Sequence, residues 1–220
     1  METIRRNLFR GAVREENLAA FRRGAEQDRA VIRRQIEAGR LLGLSLYTWQ
    51  QHVFVYYETV DCELTPELLL ADAGAALEDW PGAAAARKWI PLISVFHFNE
   101  PAGLEHWKRK APVEKHLGKI GVLKPDRIQN YMFYHYALQE ERAFGGDKYQ
   151  IIGISENILF AYMEAPTVEE KPVVEPKLHT HVVPANWADA GISPSFIPWQ
   201  DKLGTPQERL RDMDEVLSVW

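Results

Sequence analysis

One cysteine, Cys62, serves 220 residues. A single thiol closes no internal disulfide, so a disulfide scaffold is excluded and a reducing compartment is expected. Cys62 lies between Asp61 and Glu63, whose charges disfavour a thiolate, so it is not expected to be a nucleophile. No apolar run approaches the roughly 20 residues of a membrane-spanning helix. The opening Met1-Glu2-Thr3-Ile4-Arg5-Arg6 has no apolar segment of a secretory leader. A cytoplasmic protein with no membrane partner is therefore expected. Basic residues are nowhere dense enough to follow a phosphate backbone, and the net charge is −5, so nucleic acid is not an expected partner. Walker, nucleophile-elbow, C-x-x-C and dinucleotide-binding motifs are missing, and no cofactor is expected.

A repeated phrase is present. Val53-Phe54-Val55-Tyr56-Tyr57-Glu58 returns as Leu159-Phe160-Ala161-Tyr162-Met163-Glu164. Each copy follows an apolar run across a short polar turn, so each reads as the second strand of a β-hairpin ending on glutamate. Hydrophobic residues make up 46% of the chain, enough for one large domain or a domain with an extension.

The remaining elements follow from periodicity and punctuation. Asn7–Arg14 reads as a strand. Leu18, Phe21, Ala25, Ile32 and Ile36 recur at helical spacing from Asn17 to Ala38, before Gly39. Thr65-Pro66 opens a helix to about Leu77, and Ala83–Trp89 reads as a second helical stretch. Leu92–Phe98 fits either a helix or a strand. Residues 99–127 read as polar connection with a short helix near Leu104–Lys110. Ile128–Leu138 reads as an aromatic strand. The order strand, helix, hairpin, helix, strand is the split βαβ of ferredoxin-like α+β folds.

Residues 1–140 therefore form the expected domain, with an insertion at about 90–127. Residues 141–220 form a C-terminal extension: a hairpin over 148–164, a proline-rich arm over 165–204 and a helix over 205–219. That helix is signalled by the capping box Thr205-Pro206-Gln207-Glu208 and by Leu210, Met213, Leu217 and Trp220. Six of the thirteen prolines fall in the arm, with Trp187 and Trp199 as anchors. The second hairpin reads either as an addition to one sheet or as a remnant of a second half-barrel, and spacing favours the addition. A single such sheet has an open face that a second copy covers, so a homodimer is expected unless the chain supplies the copy itself.

These residues resemble the L-rhamnose mutarotase family of dimeric α+β barrels over residues 7–138. The resemblance rests on a strand leading into a long helix, on Val53–Glu58, on Arg87-Lys88-Trp89 on the second helix, and on Phe133-Tyr134 on a closing strand. It implies metal-free acid–base chemistry on a sugar anomer and a monosaccharide partner. The family's tyrosine and histidine on the first helix fall here on Phe21 and Ala25.

Six residues are candidates for such a site. Asp28 lies on the apolar stripe of the first helix, where a carboxylate needs a partner. His135 sits among aromatics, and Tyr56 and Glu58 share one strand face with Phe54. Asp28, His135 and Tyr56 are the expected proton-handling groups. Trp89 is the expected platform, Arg10 orients the ligand, and Glu58 holds hydroxyls. The bland readings are a salt bridge for Asp28, a core or interface histidine for His135, a rim charge for Glu58, a core tryptophan for Trp89 and a solvent-facing strand position for Arg10. Two further functional readings stand beside this one: a non-catalytic assembly or ligand-sensing module, and a metal enzyme using His179 and His181, which lack a third ligand at a characteristic distance.

Overall fold

The computed structural model describes residues 2–199 and 209–220. In chain order the elements are β1 (Ile4–Ala12), α1 (Leu18–Glu37), β2 (Leu41–Trp49), β3 (His52–Val60), α2 (Pro66–Leu69), α3 (Ala71–Gly74), β4 (Ile90–Pro91), β5 (Ile93–His97) and α4 (Leu104–Trp107). They continue with β6 (Lys115–Val122), α5 (Ile128–Glu141), β7 (Gly146–Asp147), β8 (Ile151–Ser155), β9 (Ile158–Ala165), β10 (Glu169–Glu170), β11 (Arg211–Asp212) and β12 (Asp214–Val219).

These elements form two compact units. Unit 1 holds residues 1–92, 103–108 and 213–220; unit 2 holds 93–102 and 109–212. The sheet of unit 1 runs β12-β2-β3-β1-β4, and that of unit 2 runs β11-β6-β9-β8-β5. With the outer strands β12 and β5 set aside, both have the ferredoxin-like order, with neighbours antiparallel.

The same local devices are built twice. Each long helix is preceded by a 3₁₀ turn, Glu15–Asn17 or Pro125–Arg127. Each central hairpin closes on two residues, the first at positive φ: Gln50 at 52° and Glu156 at 56°. The Val13 N–H reaches the Gln51 carbonyl at 2.9 Å, and the Leu123 N–H reaches the Asn157 carbonyl at 2.8 Å. The second hairpin thus belongs to a full second βαββ unit, and is not an addition to the first sheet. The expected boundary near residue 140 falls inside α5.

Strand alternation divides each sheet into two faces. On β3, Val53, Val55 and Tyr57 join Phe21, Ala25 and Ile32 of α1 in one core. Each large apolar side chain buried there contributes about 1.5–3 kcal/mol. On β9, Leu159 and Ala161 join Tyr131 and Leu138 of α5 in the other. Phe54, Tyr56 and Glu58, and likewise Phe160, Tyr162 and Glu164, are left on the faces away from the helices.

Four sequence expectations are corrected. Ile128–Leu138 is helix, not strand: Tyr131, His135 and Leu138 are buried at helical spacing, and the run of aromatics imitates a strand. Ala83–Trp89 is not helical; Trp80 and Arg87 bridge backbone to backbone there instead. The polar connection contains β6, a strand inside the second sheet, with Gly118, Lys119 and Gly121 diluting its apolar pattern. Residues 214–219 of the expected C-terminal helix form β12. A register shift between Glu215 and Leu217 spreads its apolar residues to a spacing that imitates a helix. The capping box at Thr205–Glu208 lies outside the described residues.

Candidate acid–base site

In unit 1 the repeated phrase carries a buried polar network. The Tyr56 hydroxyl donates to Glu58 Oε1 at 2.5 Å, and Trp107 Nε1 donates to the same oxygen at 2.9 Å. Arg6 Nε donates to the Tyr56 hydroxyl at 2.9 Å, and its guanidinium lies 5.1 Å from the Trp107 ring centre. Tyr56, Glu58 and Trp107 are fully buried. A buried carboxylate is tolerated only when donors surround it, and here a phenol and an indole are aimed at it.

Trp220 extends this face. Its ring lies over Gly43, where a Cβ would come within 2.1 Å of it, and its Nε1 donates to Ser45 Oγ at 2.9 Å. The ring also stacks on Tyr56 at 6.1 Å.

Unit 2 repeats the arrangement with two exchanges, Arg109 for Trp107 and His116 for Arg6. The Tyr162 hydroxyl donates to Glu164 Oε1 at 2.8 Å. Arg109 grips Glu164 through Nη2 at 2.6 Å and Nε at 3.1 Å, and its guanidinium lies 4.2 Å from the Tyr149 ring centre. The strand register sets Arg6 opposite Glu58 in unit 1 and His116 opposite Glu164 in unit 2. His116 Nδ1 is 2.7 Å from the Tyr162 hydroxyl. Tyrosine has one hydroxyl proton, and it goes to Glu164. The hydrogen-bond pattern therefore assigns a proton to His116 Nδ1; when the imidazole is neutral its lone pair is on Nε2.

The exchange of arginine for histidine decides what each network can do. A guanidinium stays protonated at any working pH, so Arg6 can orient and stabilise charge but cannot take a proton. An imidazole can do both near neutrality. His116 is half-buried, whereas Tyr162 and Glu164 are buried. The imidazole thus links the protein surface to a buried phenol–carboxylate pair.

The six sequence candidates do not form one site as expected, and their surroundings differ. Tyr56 and Glu58 meet, as described. Asp28 is occupied: its carboxylate accepts the N–H groups of Asp72 at 3.1 Å and Ala73 at 2.9 Å, fastening α3 onto α1. Burial raises its pKa, and these two donors oppose the rise. Gly24, one turn earlier, is needed there because a Cβ would lie 2.5 Å from the Asp72 backbone.

His135 belongs to the core of unit 2. Its Nδ1 donates to the Tyr131 carbonyl at 2.8 Å, and its ring packs on Tyr131, Phe96 and Trp187. Burial lowers its pKa to about 4, with the Tyr131 bond working the other way. Trp89 is a core side chain of unit 1, in the same cluster as Phe21. Arg10 is buried on β1, with Nη2 3.2 Å from His52 Nδ1 and the guanidinium 5.1 Å from the Trp80 ring centre. His179 and His181 are exposed, and His181 has φ 57°, which breaks the extended geometry that would align the two rings. Among the described residues no group of three or more His, Cys, Asp or Glu side chains is arranged to hold a metal. No helix among them is long and apolar enough to cross a membrane.

Sequence reasoning missed Arg6, Trp107, Arg109 and His116. The repeat itself held the signal: pairing each glutamate across the sheet points to Arg6 and His116.

No family model and no curated protein sequence matches the chain. Two solved structures resemble it in backbone. One is a provisionally assigned monooxygenase of Lactobacillus acidophilus NCFM, 10% identical, with a TM-score of 0.41 over 98% of this chain and 95% of that one. The other is a provisionally assigned monooxygenase of Fusobacterium nucleatum, 11% identical, with a TM-score of 0.32 over 76% of this chain and 77% of that one. The resemblance to the L-rhamnose mutarotases does not stand. Arg87-Lys88-Trp89 lies outside any helix, and Phe133-Tyr134 lies on α5 in place of a closing strand.

Proposed function

We propose that the protein binds a small polar molecule and performs acid–base chemistry on it at the His116–Tyr162–Glu164–Arg109 chain of unit 2. One observation carries this reading: an imidazole, a phenol and a carboxylate joined at 2.7 and 2.8 Å, with the carboxylate gripped by arginine. His116 Nε2 takes a proton from the bound molecule. The Tyr162 oxygen and the Glu164 charge behind it stabilise the imidazolium that forms, so the phenol transmits charge to a group that need not itself be protonated. Arg109 holds the Glu164 carboxylate in place through Nη2 and Nε.

The network of unit 1 supports a second, non-catalytic reading for that unit. Tyr56, Glu58 and Trp107 are fully buried, and Arg6 cannot exchange protons. Its role is to hold β1, β3 and α4 in register and to fix the charge on that face. A thermal-shift screen of small hydroxylated and carboxylated compounds tests the proposal. The expected result is a compound that raises the melting temperature of wild type and fails to do so for His116→Gln and Tyr162→Phe. Equal responses in all three proteins, or none in any, would overturn it.

A further inference from the structure

A place in unit 1, away from the Tyr56–Glu58 network, has room for a ligand. At the hairpin end of unit 1, Glu15, Leu18, Gln50, Gln51 and His52 line a cavity of about 440 Å³. That volume lies within the range of small-molecule sites. All five residues belong to unit 1, so nothing about this cavity depends on His116.

The lining is specific in chemistry. The turn is Gln50-Gln51, where a two-residue hairpin of this type prefers asparagine and glycine. Gln50 adopts φ 52° without that help, and the result is two adjacent amide side chains at the rim. Neither amide, nor the Glu15 carboxylate, has a hydrogen-bond or ion-pair partner among the described residues. His52 is held in one orientation. Arg10 can only donate, so its bond to His52 Nδ1 at 3.2 Å requires the neutral tautomer with the proton on Nε2. The His52 ring also stacks on Trp49 at 5.8 Å, nearly parallel. Leu18 supplies the apolar wall.

From these groups we infer that the cavity is a binding site for a small hydroxylated amine. The Glu15 carboxylate takes the ammonium, the two glutamine amides pair with hydroxyls as donor or acceptor, and Leu18 covers the carbon skeleton. An anion is disfavoured, because the Glu15 carboxylate at the rim repels it and the Arg10 guanidinium is already engaged behind the His52 ring.

Three hexose-derived probes test this: glucosamine as cation, N-acetylglucosamine as neutral analogue and gluconate as anion. The readout is the backbone amide spectrum of the full chain during titration. Glucosamine is expected to shift the Gln50, Gln51 and His52 signals at the lowest concentration. Glu15→Gln should remove its advantage over N-acetylglucosamine, and Gln51→Trp, an exposed turn substitution that fills the cavity, should abolish the shifts. The inference is overturned if gluconate binds most tightly, if no probe shifts these signals, or if the shifts survive Gln51→Trp. None of these outcomes bears on His116, which is tested separately.

Discussion

His116 Nδ1 lies 2.7 Å from the hydroxyl oxygen of Tyr162, whose own proton is committed to Glu164. The two residues come from β6 and β9, adjacent antiparallel strands, and the register rather than any local motif brings them together. The direction of each hydrogen bond sets the consequences of removing any member.

Glu164 is the member whose loss costs most in stability. Its side chain is 1% exposed and that of Arg109 is 15% exposed. Glu164→Ala leaves a largely buried guanidinium without this carboxylate and is expected to cost about 3–5 kcal/mol. Tyr162→Phe removes one neutral donor and is expected to cost about 1–2 kcal/mol. Urea unfolding of the two variants measures the difference, and the order should be large for Glu164 and small for Tyr162.

His135 makes unit 2 acid-sensitive. Burial lowers its folded pKa to about 4, below the ordinary value of 6.5. Between these values the unfolded chain binds a proton that the folded chain does not. Stability should therefore be intact above about pH 6.5 and fall as pH drops toward 4, by about 3 kcal/mol in total. Urea midpoints at pH 7.5 and pH 4.5 check this, and His135→Gln should flatten the slope over that window.

Gly43 and Trp220 form a dependent pair. An alanine at position 43 would place its Cβ about 2.1 Å from the indole and displace it. Gly43→Ala is expected to cost about 1–3 kcal/mol by overpacking. In a Trp220→Ala background the same substitution should be nearly neutral. A double-mutant cycle followed by tryptophan fluorescence measures the coupling.

Asp28 acts as a fastener, not as a base. Asp28→Ala leaves the N–H groups of Asp72 and Ala73 without their acceptor and is expected to cost about 1–3 kcal/mol. Asp28→Asn keeps one acceptor oxygen and should cost less. Neither substitution should change the binding behaviour of His116, which lies in the other unit. Thermal melts and ligand titrations on the same samples separate the two effects.

The sequence made the hairpins and α1 readable because their periodicity is undisturbed: Phe21, Ala25 and Ile32 repeat on one face, and Phe54, Tyr56 and Glu58 alternate. It hid the second unit for local reasons. Tyr131–Tyr136 is aromatic enough to suggest a strand, yet Tyr131, His135 and Leu138 pack on the sheet of unit 2 as a helix. Lys115–Val122 has two glycines facing a partner strand, which weakens its pattern to that of a surface connection and hides His116 within it. Of the candidate site, Tyr56 and Glu58 were legible from alternation. Arg6, Arg109 and His116 enter through pairing and loop geometry, which no spacing rule reveals.

The most direct test of acid–base chemistry at His116 is hydrogen exchange on small molecules in D₂O, followed by proton NMR. A mixture of small hydroxy and carbonyl compounds is incubated with wild type, Tyr162→Phe and, as a control distant in function, Cys62→Ser. The expected result is deuterium uptake at one carbon of one compound with wild type and Cys62→Ser, falling by roughly 10²-fold or more with Tyr162→Phe. Exchange of no compound, or full exchange with Tyr162→Phe, would contradict the assignment.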